Sequence, residues 1–309
     1  VLDLLNYNQN SKTIYLNPTI QRNKFIDKPL TFSNTIIDSI LDKISEQSNF
    51  KLTEKEVAQG IVTPQDYVIE NHLKKLPHLT LKDGIFVLSN EEKKNIPFTK
   101  KELELIKPSY TTKELGRYYG NRKNSEWVIY TDSRFKYPGN IKPYPNIKKH
   151  LDKYQKVITS DNKPYGLHRA RDEYFFKGEK IIAVRKCIVP TFTYTDFDCY
   201  VSAAFYIIKT QRVNLKYLTA LLNSKLIAFW LKHKGKMQGN NYQIDKEPLL
   251  ALPLKIVPEN SQKPFIKIVD EILSIHEQYG FPLPNEVSAK VKECEKQIDK
   301  LVYELYGLT

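Results

Sequence analysis

Apolar residues recur at the spacing of an amphipathic helix in two internal segments of the chain. The first segment contains Ile36, Ile37, Ile40, Leu41 and Ile44. The second contains Leu215, Leu218, Leu222, Leu226 and Phe229, preceded by Asn214 as a candidate N-cap. Because one face of a helix carries such positions, the pattern predicts a helix around Ile40 and a longer amphipathic helix over 214–232.

Two more amphipathic segments end the chain. Phe265, Val269 and Ile272 mark the first, and Pro282 and Pro284 predict a turn after it. The second alternates spacings of four and three residues, at Val287, Val291, Cys294, Ile298, Leu301 and Leu305. Because this is the a/d pattern of packed helices, we expect an antiparallel helical pair over 258–309.

The intervening region contains short runs of Val, Ile and aromatic residues, separated by Gly, Pro, Asn and Asp, and such runs predict strands. They are Ile85–Leu88, Trp127–Thr131, Lys156–Thr159, Lys180–Arg185 and Tyr200–Lys209, with Leu249–Leu254 as a last edge strand or extended exit. The sequence therefore predicts an α+β fold. A twisted, mostly antiparallel β-region carries the embedded amphipathic helix 214–232, and the C-terminal helical pair follows it.

Positive charge is concentrated in the middle of the chain. The whole sequence has 48 basic and 35 acidic residues, a net charge of +13. Residues 113–186 alone have 18 basic and 8 acidic residues, whereas residues 258–309 are net acidic. A merely lysine-rich surface would spread its charge more evenly, so the block indicates a polyanionic partner. We expect the cations between Lys113 and Val257 to line one concave face.

Several function classes find no support in the sequence. The run Val201–Ile208 is too short to span a bilayer, and no signal peptide is recognisable, so we expect no membrane partner and a cytoplasmic location. Cys187, Cys199 and Cys294 lack metal-ligand spacing and are expected to be reduced thiols. The first residue is Val1 rather than Met, so we expect a piece of a longer protein.

Catalytic motifs are missing, with one weak exception. No two glycines lie closer than four positions, and no Gly-x-Ser-x-Gly or His-Glu-x-x-His motif occurs. We therefore expect no catalytic centre and no cofactor in this chain. The exception is a Mg²⁺-dependent nuclease hypothesis, in which Asp152 and Asp161 would hold the metal and Lys163 would orient water at a strand end.

Candidate DNA-contacting residues fall in short basic stretches rich in turn formers. They are Arg117, Arg122 and Arg134; Lys163, His168, Arg169 and Arg171; Arg185 and Lys186; and Lys234, Lys236, Gln238, Asn240, Asn241 and Gln243. Lysines suit phosphates, arginine can bind guanine with two hydrogen bonds, and Gln or Asn can pair with an adenine edge. The alternative is that these side chains form ordinary surface ion pairs and turn caps.

These stretches carry a family resemblance. The chain resembles the C-terminal specificity domain of TaqI-like adenine DNA methyltransferases, including bifunctional restriction–modification enzymes of type IIG. The resemblance runs in order through Gln59–Thr63, Lys163–Arg171, Phe175–Ile181, Tyr217–Lys225, Gly239–Gln243, Leu249–Leu254 and Ile298–Leu308. It implies a connecting segment at 1–50, a DNA target-recognition domain at 51–257 and the helical pair at 258–309.

The resemblance also implies what the chain works with. A separate methyltransferase domain of the same parent chain would bind S-adenosylmethionine, with Mg²⁺ as a further candidate cofactor of the parent, and methylate an adenine flipped out of double-stranded DNA. The family's catalytic tetrapeptide, Asn/Asp-Pro-Pro-Tyr/Phe, is absent, because Asn17-Pro18-Thr19-Ile20 shares only two letters with it. An alternative is a DNA specificity subunit that docks separate modification subunits through its helical pair.

Overall fold

The computed structural model describes residues 35–308, so most of the predicted connecting segment, including Asn17-Pro18-Thr19-Ile20, lies outside it. Within this range the chain has a mixed α+β fold with mostly antiparallel sheets and ten α-helices. The fold class predicted from the sequence is therefore confirmed. Between residues 35 and 308, no helix is both long and apolar enough to cross a membrane.

Twelve strands of the described chain form three sheets. They are β1 Val57–Gln59, β2 Val87–Ser89, β3 Ile106–Tyr110, β4 Tyr118–Tyr119, β5 Glu126–Ile129, β6 Lys180–Val184, β7 Lys186–Cys187, β8 Phe192–Thr195, β9 Tyr200–Val201, β10 Phe205–Ile208, β11 Lys236–Gln238 and β12 Asn241–Gln243. The five-stranded sheet has the order β1-β10-β6-β8-β4, the four-stranded sheet β2-β5-β3-β9 and the three-stranded sheet β11-β12-β7. All neighbours are antiparallel except β3 with β9 and β4 with β8.

The helices lie mainly around the sheets and at the C-terminal end. They are α1 Thr35–Glu46, α2 Glu70–Leu73, α3 Asn90–Asn95, α4 Lys100–Leu103, α5 Pro145–Asp152, α6 Leu215–Leu222, α7 Lys225–Lys234, α8 Lys246–Ala251, α9 Glu259–Tyr279 and α10 Asn285–Leu305. The predicted helix around Ile40 and the C-terminal pair, α9 and α10, are confirmed.

The five-stranded sheet is buried on both faces, which explains the uninterrupted apolar runs of its central strands. Ile181 and Ala183 of β6 face the core formed with α6, α7 and the C-terminal pair. Ile182 and Val184 face a second core, which is shared with the four-stranded sheet and α5. Alternate side chains of β6 therefore belong to two different hydrophobic cores, one on each face of the sheet.

The predicted helix over 214–232 is in fact two helices. Asn214 caps α6 as expected, because its side-chain oxygen accepts hydrogen bonds from the Lys216 and Tyr217 amides. At the break, the Asn223 amide group bonds both the N–H and the C=O of Phe192. Ser224 then caps α7 by accepting a bond from the Ile227 amide. Tertiary hydrogen bonds thus end a helix that the apolar stripe would continue.

Three strand predictions were wrong in detail. Lys156–Thr159 forms turn and loop after α5, because the Val157 and Ile158 amides donate to the nearby Tyr154 carbonyl, at 2.9 and 3.1 Å, rather than to a neighbouring strand. Leu249–Leu254 begins inside α8, and its last residue forms an isolated bridge with Phe50. Tyr200–Lys209 is divided into β9 and β10 by a turn at Ser202–Ala204.

Glu56 clamps the start of β1 to the segment after β10. Its carboxylate accepts bonds from Arg212 Nη2 at 2.6 Å and Nε at 2.8 Å, and from the Thr210 hydroxyl. Burial opposes its charge, but the bonds from Arg212 and Thr210 are stronger together and lower the pKa of Glu56 to about 2. The ionised carboxylate therefore stabilises the folded state.

We expect Glu56→Gln to lower the free energy of unfolding at pH 7 by about 1–3 kcal/mol. Because the folded pKa lies below the unfolded value of 4.5, this stabilisation is complete above that pH and is lost as the pH falls toward 2. Urea denaturation of both proteins at several pH values measures the difference, which should shrink with acidification. Glu54→Gln, whose side chain is 80% exposed, is the control. Equal losses in the two variants at pH 7 would contradict the clamp.

Candidate nucleic-acid interface

Strand alternation places polar side chains on one face of the three-stranded sheet. Gln243 of β12 pairs with Lys186 of β7 and with Lys236 of β11, and Asn241 pairs with Gln238. Directly paired residues, and those two positions away, share one face of a sheet. We call Lys186, Lys236, Gln238, Asn241 and Gln243 the hairpin face.

The opposite side of this small sheet packs on the protein. Tyr242 pairs with Cys187 and with Met237, and both Tyr242 and Cys187 contact the hydrophobic core. The hairpin face therefore points away from the core. The turn that joins β11 to β12 is the two-residue loop Gly239-Asn240, where Gly239 has a φ of +60°. Such a loop favours glycine, and it exposes Asn240 at the tip.

Asp245 anchors the hairpin to the end of β6. Its carboxylate accepts bonds from Arg185 Nε at 2.6 Å and from Gln243 Nε2 at 2.8 Å, and Lys236 Nζ lies 3.8 Å away. Although burial disfavours its charge, the bond from Arg185 lowers the pKa of Asp245 below its ordinary value. Arg185 is held in place by the same contact, so it positions the hairpin as well as adding charge.

A cleft of about 510 Å³ opens beside the hairpin face. Lys186, Gln238 and Gln243 line it together with Arg185, and its other wall includes Ser202. A second cleft of about 240 Å³ shares residues Thr111 and Ser202 with the first. The two clefts therefore form one trough across the ends of the sheets.

The loop that precedes β6 reaches the rim of this trough. Arg171 donates to Gln59 Oε1 at 2.8 Å and to the Gly60 carbonyl at 3.3 Å, and Arg169 forms a bridge with Val62. The side chains of Lys163 and Arg169 are exposed. His168 Nδ1 lies 3.3 Å from the Asp161 carboxylate, so it is held at the base of the loop. Lys234, at the end of α7, is exposed before the hairpin.

The remaining arginines predicted from the sequence lie elsewhere. Arg117 bonds the Asn223 carbonyl and pairs with Glu295 of α10 at 3.2 Å. Arg122 makes two hydrogen bonds, of 2.6 and 2.8 Å, with Asp196 in a cleft beside α9. The single concave face expected for all the cations is therefore wrong for these two, because carboxylates near the helical pair hold them.

Arg134 lies on a third part of the surface, where Asp132 accepts its Nε–H at 2.9 Å. Its Nη2 also lies 2.8 Å from the Asp132 carboxylate, but the side chain is 75% exposed and remains accessible to a partner. DNA contact by Arg117, Arg122 or Arg134 remains a prediction.

The nuclease hypothesis loses its geometric basis. No strand precedes Asp161, and the Asp152 carboxylate accepts bonds from the Tyr165 hydroxyl at 2.7 Å and from Lys148. Asp161 pairs with His168 instead of facing Asp152. In the part of the chain that the structure describes, no three His, Cys, Asp or Glu side chains are grouped to hold a metal ion.

Comparison with known proteins agrees with the sequence resemblance. Residues 136–254 match the sequence model of the TaqI-like C-terminal specificity domain. The chain is 29% identical over 117 residues to the type II methyltransferase M.HincII of Haemophilus influenzae, covering 38% of this chain and 22% of that protein. M.HindII of Haemophilus influenzae strain Rd is also 29% identical over 117 residues, covering 38% and 21%. The match thus spans about a fifth of these relatives' length.

One solved structure shows a similar fold. The type IIL restriction–modification enzyme MmeI, solved in complex with DNA, aligns with a TM-score of 0.59 at 15% identity, covering 85% of this chain and 33% of that chain. The type IIG restriction endonuclease BpuSI aligns with a TM-score of 0.46 at 14% identity, covering 88% and 33%. The match to the sequence model and to the two methyltransferases confirms the predicted resemblance to a TaqI-like specificity domain, and the MmeI alignment supports the fold.

Proposed function

We propose that this chain recognises a specific sequence in double-stranded DNA, because residues 136–254 match the sequence model of the TaqI-like C-terminal specificity domain. It presents an adenine to a methyltransferase domain of the same parent chain, and it acts in the cytoplasm. The observation that carries the proposal is the hairpin face, where cations and amide side chains line one wall of a 510 Å³ cleft.

The chemistry of this face suits DNA in two ways. Lys186 and Lys236 can neutralise phosphates, which fixes the position of the duplex. The side-chain amides of Gln238 and Asn241 make no hydrogen bond with any group between residues 35 and 308. Their donors and acceptors are therefore available for base edges. An amide of this kind can make two hydrogen bonds to adenine in the major groove.

The methyl transfer itself is assigned to the parent enzyme. The space beside two glycines four positions apart is filled by the protein itself, because a Cβ at Gly116 would lie 2.4 Å from Phe281 and one at Gly120 would lie 2.9 Å from Thr195. No open glycine-rich loop is available at either position. Binding and orientation of the duplex, rather than chemistry on it, are therefore the proposed tasks of these residues.

We expect Gln238→Ala and Asn241→Ala each to weaken binding of the preferred duplex by about 10- to 100-fold, as one bidentate base contact contributes about 1–3 kcal/mol. Rounds of selection from a random duplex pool first identify the preferred sequence, and fluorescence anisotropy then measures affinity for that duplex and for a scrambled one. Binding of the scrambled duplex should hardly change. Gln297→Ala, at an exposed position of α10, is the control.

Failure of the chain to enrich any sequence would contradict specific recognition. Equal losses for preferred and scrambled duplexes would mean that Gln238 and Asn241 contribute only to nonspecific contact. Incubating plasmid with the chain and Mg²⁺ tests the nuclease alternative separately, since cleavage abolished by Asp161→Ala would favour it.

A further inference from the structure

Five exposed lysines surround α5 and the loop beside it. They are Lys142, Lys149, Lys153, Lys156 and Lys163, and we call them the lysine face. Ile147, His150 and Leu151 are buried on the other side of α5, so helical periodicity turns Lys149 outward, while the other four lysines are exposed in the turns that flank the helix. Residues 134–163 contain 8 basic and 2 acidic residues, whereas the net charge of all 309 residues is +13. The net charge of this short segment is therefore +6.

The lysine face lacks the neutralising partners that the predicted arginines have. Lys148 pairs with Asp152, and Arg134 pairs with Asp132. None of the five lysines of the face forms an ion pair with the residues that the structure describes. Clustered like charges repel one another, and a polyanion relieves that repulsion. Lysine side chains suit phosphates, because an ammonium group neutralises a phosphate whatever the base sequence.

A continuous path of contacts links this face to the trough. Gln155 Nε2 donates to the Pro164 carbonyl at 3.1 Å, which fixes the loop carrying Lys163 against the end of α5. The same loop continues to Arg169, which bridges Val62, and to Arg171, which bonds Gly60. Gly60 packs directly against Ser202 in the wall of the trough.

We propose that the lysine face binds the phosphate backbone of duplex DNA that flanks the recognised sequence. The inference rests on the proposed function and extends it, because the hairpin face reads the site and the lysine face holds the neighbouring helical turn. Flanking DNA of any sequence therefore increases affinity, and it does so in a salt-dependent way.

The test compares two duplexes with the same preferred central sequence, one of about 12 bp and one of about 34 bp, roughly one and three helical turns. We expect the triple variant Lys142→Gln, Lys149→Gln, Lys153→Gln to lose at least tenfold in affinity for the long duplex. Its slope of log affinity against log salt should fall by about 2.7, or 0.9 per lost phosphate contact. Binding of the short duplex should be unchanged.

Lys263→Gln, Lys267→Gln, Lys290→Gln is the matched control, because these lysines are exposed on the net-acidic helical pair. Equal affinities of the unmodified chain for both duplexes, or a triple variant that behaves like the control, would overturn the role of the lysine face while leaving the proposed function intact. Absence of binding to either duplex would instead count against the proposed function. Circular dichroism melts confirm that all variants are folded.

Discussion

Raising the salt concentration from about 50 to about 200 mM is expected to weaken duplex binding by the whole chain about a thousandfold, as for a protein with six or so phosphate contacts. The hairpin face, the loop before β6 and the lysine face supply enough exposed cations for that number. Each contact releases condensed counterions, and the release is less favourable as salt rises. Anisotropy titrations at five salt concentrations measure the slope.

The salt titration has a clear contrary outcome and a control. A loss of less than tenfold over the same range would correspond to about two phosphate contacts or fewer, which the proposed trough and flanking surface do not allow. Replacing chloride by glutamate at fixed cation concentration is the control, because anion effects on the protein change with it while the release of cations from DNA remains. A flat response would contradict electrostatic DNA binding by this chain.

Much of the fold is predictable because the buried elements have unambiguous patterns. β6 and β10 are buried at every position and, apart from Lys180 at the start of β6, apolar throughout, since both faces of the central sheet are covered. The seam of α10 was predicted in part, because Cys294 and Ile298 are buried as expected, whereas Val302 is buried and the predicted Leu301 is only partly buried. Local sequence and global packing agree in these elements.

Other elements depend on partners far away in the chain, which a local pattern does not reveal. The break between α6 and α7 follows from the bonds of Asn223 with Phe192 of β8. The N-terminal end of α5 is fixed by Glu102, whose carboxylate accepts the Asn146 amide at 2.6 Å and the Ile147 amide at 3.1 Å. Only the folded chain brings these groups together.

The candidate site was predictable by residue type but not by arrangement. Gly239-Asn240 is a two-residue hairpin signal, from which the alternation of Gln238, Asn241 and Gln243 could have been predicted. The pairing of β12 with β7 joins distant segments and places Lys186 on the same face. The lysine face is not distinguishable in the sequence, because its five lysines lie within the longer basic block 113–186 and only the fold shows which of them are exposed around α5.

Gly60→Ala is expected to lower the free energy of unfolding by about 3–5 kcal/mol, through overpacking against an immobile backbone. A Cβ at Gly60 would lie 2.1 Å from the Ser202 carbonyl oxygen and 2.5 Å from that of Val201. Neither carbonyl can retreat cheaply, because the Ile61 amide donates to Val201 at 2.8 Å and the Ala203 amide donates to Ile61 at 2.7 Å. Urea denaturation measures the loss.

Gly139→Ala is the matched control, since a Cβ there would meet no atom within 4 Å and it should change stability by about 0.5 kcal/mol or less. The effect of Gly60→Ala should extend to function, because the carbonyl that must move belongs to Ser202 in the wall of the trough. At a temperature where the variant is still folded, duplex binding should fall while binding by the control does not. Similar stabilities of the two variants would mean that the close approach of Gly60 to the β9–β10 turn does not hold the trough in shape.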